Sequence, residues 1–282
     1  MTPLPRQGRA IVSVALESAE DGMKTAVVKL LLVVSSLVLL GGCFEKEQPT
    51  CAYWVPKLKE PVKGEQALDM MEELRCRDAV QALTELYEEG LQRKRILRVL
   101  TLIGDKEAGA PILKKAVVTR DLGKLASSII EEWQLAAAKP ELVEILTTDI
   151  LEKNRPEALK ALMSFSRAAD VKDLLMDLAG GDPNRQGLDT NLLAVRELGK
   201  LGDAAAVPSL LKAAFIRTNT GGSIYMAVRL ALSKIGPKAA GPLVELAEGR
   251  NKGFQEFARK YGIQEWQWRY GPELVQLLGD TL

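Results

Sequence analysis

The chain has no histidine among its 282 residues. Its absence removes the commonest general base, proton shuttle and zinc ligand. No Ser-His-Asp or Cys-His arrangement can be assembled without it. Cysteine is also scarce, with three in all, and Cys51 and Cys76 alone are too few to hold a metal ion. Charge of neither sign dominates, since 38 Lys and Arg face 37 Asp and Glu. Nucleic-acid binding leans on clustered Lys and Arg, so this balance gives no reason to expect it. No phosphate-binding glycine motif is present: Gly221-Gly222-Ser223 lacks the surrounding pattern and reads as a loop with Ser223 as an N-cap. The adjacent carboxylates Glu72-Glu73, Glu88-Glu89 and Glu131-Glu132 would diverge by about 100° on a helix, which reads as solvated faces. No catalytic residue, cofactor site or metal site is expected. Long apolar runs are nearly absent too. The uncharged stretch from Leu30 to Cys43, LLLVVSSLVLLGGC, falls short of the roughly 20 residues that a spanning helix needs.

That stretch fits a different purpose. A secretory signal has a positive beginning, an apolar segment of about 7–15 residues and small residues at the cut; Lys24 and Lys29, the run to Leu40, and Gly41-Gly42 supply them. A cysteine directly after the small pair is not explained by a plain signal. Leu40-Gly41-Gly42-Cys43 resembles the lipobox of bacterial lipoproteins. The resemblance implies diacylation of the Cys43 sulfur, cleavage before Cys43 and acylation of the new amino terminus. Two or more acyl chains give a stable membrane anchor where one is marginal. A plain secreted protein and a retained helix are the alternatives. Met23, followed at once by Lys24, reads as the true start, with the acidic stretch containing Glu17, Glu20 and Asp21 lying upstream of the signal. The expected organisation is a signal peptide over residues 1–42, a lipidated tether over 43–64 and a helical domain over 65–282. Without residues 1–42 the chain is formally neutral, and it is expected to be a monomer. Phe44 rather than Asp follows Cys43; by resemblance to the enterobacterial sorting rule this favours the outer membrane, periplasmic leaflet. In such an oxidising compartment the remaining pair, Cys51 and Cys76, is expected to form a disulfide, two unpaired thiols being the alternative.

From residue 65 onward Leu, Ala, Glu and Lys dominate, with apolar residues at helical spacing. Leu192, Val195, Leu198 and Leu201 mark one stripe, and Met226, Leu230 and Ile235 a related one. The phrase Pro-x-Leu or its equivalent recurs at 80, 111, 140, 171, 208, 242 and 272, with steps of 31, 29, 31, 37, 34 and 30 residues. Proline suits the first turn of a helix, where its missing amide has no partner. LLAVRELGKLGDAAAVPSLLKAAF (192–215) and MAVRLALSKIGPKAAGPLVELAEG (226–249) share Ala-Val-Arg, a Lys-Leu/Ile-Gly corner, paired alanines and a proline before a leucine-rich helix. Ile103-Gly104-Asp105 repeats the corner. These residues resemble HEAT-like repeats, including the short bacterial type of phycobilisome-lyase-like proteins. The resemblance implies an all-α, right-handed α-solenoid of about seven helical pairs. The tetratricopeptide repeat has a similar period, but its Trp-x-x-Leu-Gly-x-x-Tyr signature is missing.

Two regions rise above the repeats. The loop Gly180–Thr190, containing Arg185, accounts for the 37-residue step, and Arg217–Gly222 forms a second loop. Insertions in a solenoid gather on one edge and can form a binding rim; the alternative is variable connectors. The segment Phe254–Tyr270 holds six of the chain's fourteen aromatics: Phe254, Phe257, Tyr261, Trp266, Trp268 and Tyr270. They read either as a partner-binding hot spot or as a cap on the last repeat. Trp266 and Trp268 would point about 200° apart on a helix, so one of them is expected in the core, with Trp266 assigned there and Trp268 outside. The functional expectation is a membrane-anchored scaffold or adaptor binding another envelope protein, with Trp266, Trp268, Tyr270, Arg185 and Arg217 as partner-binding candidates. The lyase-like branch offers an enzyme or enzyme-assembly factor as the alternative. Replacing Cys43 by Ser should abolish acyl labelling and shift detergent partitioning; labelling retained by Cys43→Ser would refute the lipobox.

Overall fold

A computed structural model describes residues 50–281. The signal and Cys43 lie outside the described residues. Within them the chain is all-α, with α-helices and short 3₁₀ turns and no strand. In chain order the helices are α1 (Cys51–Trp54), α2 (Gly64–Leu74), α3 (Val80–Glu88), α4 (Arg93–Ile103), α5 (Lys106–Val117) and α6 (Gly123–Trp133). There follow α7 (Lys139–Thr147), α8 (Arg155–Phe165), α9 (Lys172–Ala179), α10 (Pro183–Gln186), α11 (Leu188–Leu201) and α12 (Val207–Phe215). The last are α13 (Tyr225–Ile235), α14 (Ala240–Ala247), α15 (Lys252–Lys260), α16 (Glu265–Arg269) and α17 (Pro272–Thr281).

These helices pack in two rows. In the first, α2, α4, α6, α8, α11, α13 and α17 each contact the next. The second runs through α3, α5 and α7, then α9, α12 and α14. Each second-row helix also packs on the first-row helix that follows it, as α5 does on α6 and α12 on α13. The repeated corner makes this possible. At Gly104 and Gly202 the chain turns through left-handed backbone, φ +74° and +67°, and each glycine amide donates to the carbonyl four residues back, at 3.0 Å from Leu100 and 3.1 Å from Leu198. A side chain there would be strained, which is why glycine ends these helices. Asp105 and Asp203 then accept from the amides of Ala108 and Ala205, satisfying donors at the next helical start. Gly236 differs from Gly104 and Gly202, because its φ of +67° is combined with ψ of −146°, outside the left-handed helical region.

Several markers also fall differently from expectation. Pro140, Pro208 and Pro272 lie in first turns. Pro111, by contrast, is inside α5, since Asp105 starts that helix early enough to carry the proline into its interior. Pro272 opens a first-row helix rather than a second-row one: α17 lies on α13 and α14. Tyr225 Oη donates to the Glu273 carbonyl at 2.8 Å, and Arg229 makes a two-pronged contact with Asp280 at 2.6 and 3.0 Å. These bonds hold α17 against α13, and the Arg229 guanidinium keeps the Asp280 carboxyl below the usual carboxylate range.

The apolar stripe of α11 runs inward through Val195 and Leu198 as expected, but that of α13 is rotated. Val228, Ala231, Leu232 and Ile235 are buried, whereas Met226 and Leu230 face out. The folded unit also begins earlier than residue 65. Trp54 and Leu58 are buried in the core, and Cys51 is joined to Cys76 by a disulfide with Cα atoms 5.5 Å apart. The stretch 51–59 is therefore part of the fold and not of a tether. Closing a loop over a sequence separation of 25 stabilises by roughly 3 kcal/mol on the chain-entropy model. Cys51→Ser or reduction should lower unfolding stability by about that amount, read from denaturant midpoints, and the thiols should alkylate only after reduction. Free alkylation without reductant would show that the bridge does not form in the protein as made.

Candidate functional site

The long insertion after α9 is built around buried amides. The last carbonyls of a helix have no intrahelical donor. Here Asn191 Nδ2 reaches the carbonyls of Leu178, Ala179 and Gly181 at 3.0, 3.1 and 2.8 Å, and Gln186 Nε2 donates to Leu178 at 2.6 Å. Arg155 Nη1 in turn donates to Gln186 Oε1 at 3.2 Å. Much of the insertion is thus packed rather than presented. Arg185 pairs with Glu152 at 2.7 Å, bracing the insertion against the connector between α7 and α8, so its charge is already engaged within the chain.

The second loop is tied to the first, as the Asn219 amide donates to Asn184 Oδ1 at 2.7 Å. Thr218 Oγ1 closes it by accepting from Gly222 N at 2.7 Å. Ser223 Oγ accepts from the Tyr225 amide at 3.1 Å, while the N-cap position itself is Ile224. Arg217 Nη1 donates to the carbonyls of Ala214 and Ile216 at 3.0 and 3.1 Å, finishing α12, and Nη2 lies 3.6 Å from Glu273 Oε1. The guanidinium is therefore held at the mouth formed by the end of α12 and the start of α17.

The aromatic segment divides into two sets. Phe254 meets Phe215, Phe257 and Trp268 with ring centroids 5.4, 5.5 and 5.5 Å apart, and Phe257 meets Tyr261 at 4.7 Å. These are favourable aromatic distances, and they make an apolar lid on α12 and α14. Trp268 is 4% exposed and Trp266 is 65% exposed. One tryptophan is inside and one outside, but in the reverse order to that expected, and Trp268 is withdrawn as a partner contact. The cause is how α16 is fixed. Gln264 and Gln267 form a capping box at its start, and Arg269 donates to the carbonyls of Ala247 at 3.0 Å and Glu248 at 3.2 Å. Those anchors set the helix's rotation, which turns position 268 to the core and 266 outward.

Trp266 stands at a cleft of about 500 Å³ whose walls include Phe215, Ile216, Arg217, Tyr261 and Glu273. The cleft has apolar and aromatic walls with one cation and one carboxylate, and partial burial raises Tyr261 above the ordinary phenol range. Tyr270 is 68% exposed with the Arg269 guanidinium 5.1 Å from its ring centroid, and it does not line the cleft. Glu273 is the wall residue that sequence reading passes over; its Pro-Glu-Leu context marks a helix start, and only the fold brings it to Arg217. Among the described residues no group of three His, Cys, Asp or Glu is placed to hold a metal ion. The arrangement is suited to recognition: rigid aromatic area for burial and a charged pair for orientation.

No known protein family matches the chain, and no curated protein is significantly similar to it. Trp268→Ala should destabilise the fold by about 3–5 kcal/mol, as for a buried large aromatic, whereas Trp266→Ala should stay within about 0.5 kcal/mol. Melting curves of the two variants measure the difference, and equal destabilisation would contradict the division.

Proposed function

We propose that the protein is a lipid-anchored scaffold of the bacterial cell envelope, held through Cys43 at the outer membrane and carrying a HEAT-like, right-handed solenoid of about seven helical pairs that binds another envelope protein. Support for the repeat architecture comes from the spaced markers, the shared glycine corner and the helices that each pack on the next of their row. Support for the anchor is the lipobox-like Leu40–Cys43. A disulfide between Cys51 and Cys76 is consistent with an oxidising compartment.

The observation that carries the binding role is Trp266. Leaving a tryptophan exposed forgoes a burial gain of a few kcal/mol, and this one stands at the cleft that also holds Arg217 and Glu273. Trp and Arg are the residue types that dominate interface energetics. Arg217 contributes a donor fixed by its bonds to α12, so little side-chain entropy is lost when a partner carboxylate or carbonyl docks. Crosslinking in membranes followed by mass spectrometry should identify a protein joined at the cleft. Trp266→Ala should weaken its recovery by roughly 30-fold, equivalent to about 2 kcal/mol, without lowering the melting temperature. Full recovery by both Trp266→Ala and Arg217→Ala would exclude the cleft as the contact.

A further inference from the structure

A second surface lies between α11 and α13, where Gly199 meets Ala231 so closely that a Cβ on residue 199 would stand 2.8 Å from that of Ala231. Small residues at this seam, with Ala227 beside them, leave the floor of an open trough of about 550 Å³. One wall is the ridge Leu192, Arg196 and Lys200 on α11; the other is Met226, Leu230 and Lys234 on α13. Both ridges follow the i, i+4, i+8 row of a helix, and both change character along it. The apolar residues come first and the cations last. Gly199 lies opposite Ala231 towards the end of both helices, and a Cβ on Gly222, just before α13, would stand 3.3 Å from Leu188 at the start of α11, so the two ridges run the same way. Met226 and Leu230 are 62% and 63% exposed, an apolar pair that the intact fold leaves uncovered.

We propose that this trough is the docking site for an amphipathic α-helix of a partner protein, acidic at its C-terminal end. The trough's length, from Leu188 to Lys200, is about 18 Å at the helical rise, or three turns of a ligand helix. Its open form suits a helix lying in a seam and burying i, i+3, i+4 and i+7 side chains. Asp189 lines the apolar end, and Arg196, Lys200 and Lys234 line the other. That polarity matches a ligand helix parallel to α11, with its positive N-terminus near Asp189 and its negative C-terminus at the cations. Lys200 also pairs with Glu197 at 2.6 Å, and Lys200 and Lys234 sit in last turns, where they complement their own helices. Arg196 is in mid-helix, so neither effect accounts for it. The proposal shares with the scaffold reading only the premise that this protein binds protein, because cleft and trough use different residues.

The test uses the full-length chain and a fluorescent 14-residue helical peptide with leucines at i, i+3, i+4 and i+7 and glutamates in its last turn. A second peptide replaces the glutamates with lysines. Anisotropy should show the acidic peptide binding at least 10-fold more tightly than the basic one, with affinity falling as salt rises. Arg196→Glu combined with Lys234→Glu should weaken the acidic peptide at least 10-fold and narrow its advantage over the basic one. Met226→Ser with Leu230→Ser should weaken both peptides. All four positions are at the surface, so the melting temperature checks that the variants fold. A benzophenone at a central leucine should crosslink to α11 or α13. Trp266→Ala should leave peptide binding intact, which separates failure of the cleft from failure of the trough. Equal binding of the two peptides, no effect of the charge reversals, crosslinks elsewhere, or binding only to anionic phosphatidylglycerol vesicles would overturn the proposal.

Discussion

Each interior helix of this protein has to be covered on more than one side, and its neighbours in the stack supply the cover. The apolar residues of α6 show the requirement: Ala126, Ile129, Ile130 and Trp133 are buried against α5 on one side and α4 and α8 along the row. A single pair of helices could not shield such a surface, so stability comes from the contacts between successive units. Burying one large apolar side chain is worth about 1.5–3 kcal/mol, and the core formed in this way continues from Trp54 to Leu277. Local sequence concedes to that packing. Gly109 lies within α5, where glycine costs about 1 kcal/mol relative to alanine, yet a Cβ there would stand 2.9 Å from the Trp133 ring.

A stack covered by its neighbours has a difficulty at each end, and two different devices meet it. At the first end, Trp54 and Leu58 fold back on the unit containing α2 and α3, held by the Cys51–Cys76 bridge. At the last, Phe254, Phe257 and Trp268 close over α12 and α14 while α17 covers α13. Between the ends, ion pairs join successive units: Lys115 with Glu88 at 2.5 Å, Lys114 with Glu141 at 3.0 Å, Lys160 with Glu131 at 3.2 Å and Lys172 with Asp203 at 2.8 Å. At about 0–1 kcal/mol each they are minor beside the buried core. Of the glutamates that read as solvated faces, Glu88 and Glu131 take partners in this way, and Glu72 pairs with Arg95 at 3.0 Å.

The two surfaces suited to recognition arise where regular stacking is interrupted or thinned. The cleft forms where α15 and α16 leave the rows and α17 returns to the first one, bringing Glu273 to Arg217 and leaving Trp266 at the mouth. The trough forms where glycine and alanine bring α11 and α13 together and leave longer side chains standing on either side. The long insertion contributes by positioning, since its buried amides secure the end of α9 and its Asn184 holds the second loop.

Helical character and the glycine corners at Gly104 and Gly202 were determined by sequence alone, because they depend on interactions within a few residues: apolar periodicity, positive φ and capping aspartates. The composition likewise fixed which side chains are on hand for chemistry. Tertiary structure decided which side of a short helix faces inward. Trp266 and Trp268 are equally apolar in the sequence, and what separates them is the rotation of α16 set by Arg269 bonding to carbonyls of Ala247 and Glu248. The outward position of Met226 and Leu230 and the pairing of Arg217 with a helix start more than fifty residues later have the same origin. Periodicity marks an apolar stripe, but its absolute direction is set by contacts that the sequence brings together only once the units have stacked.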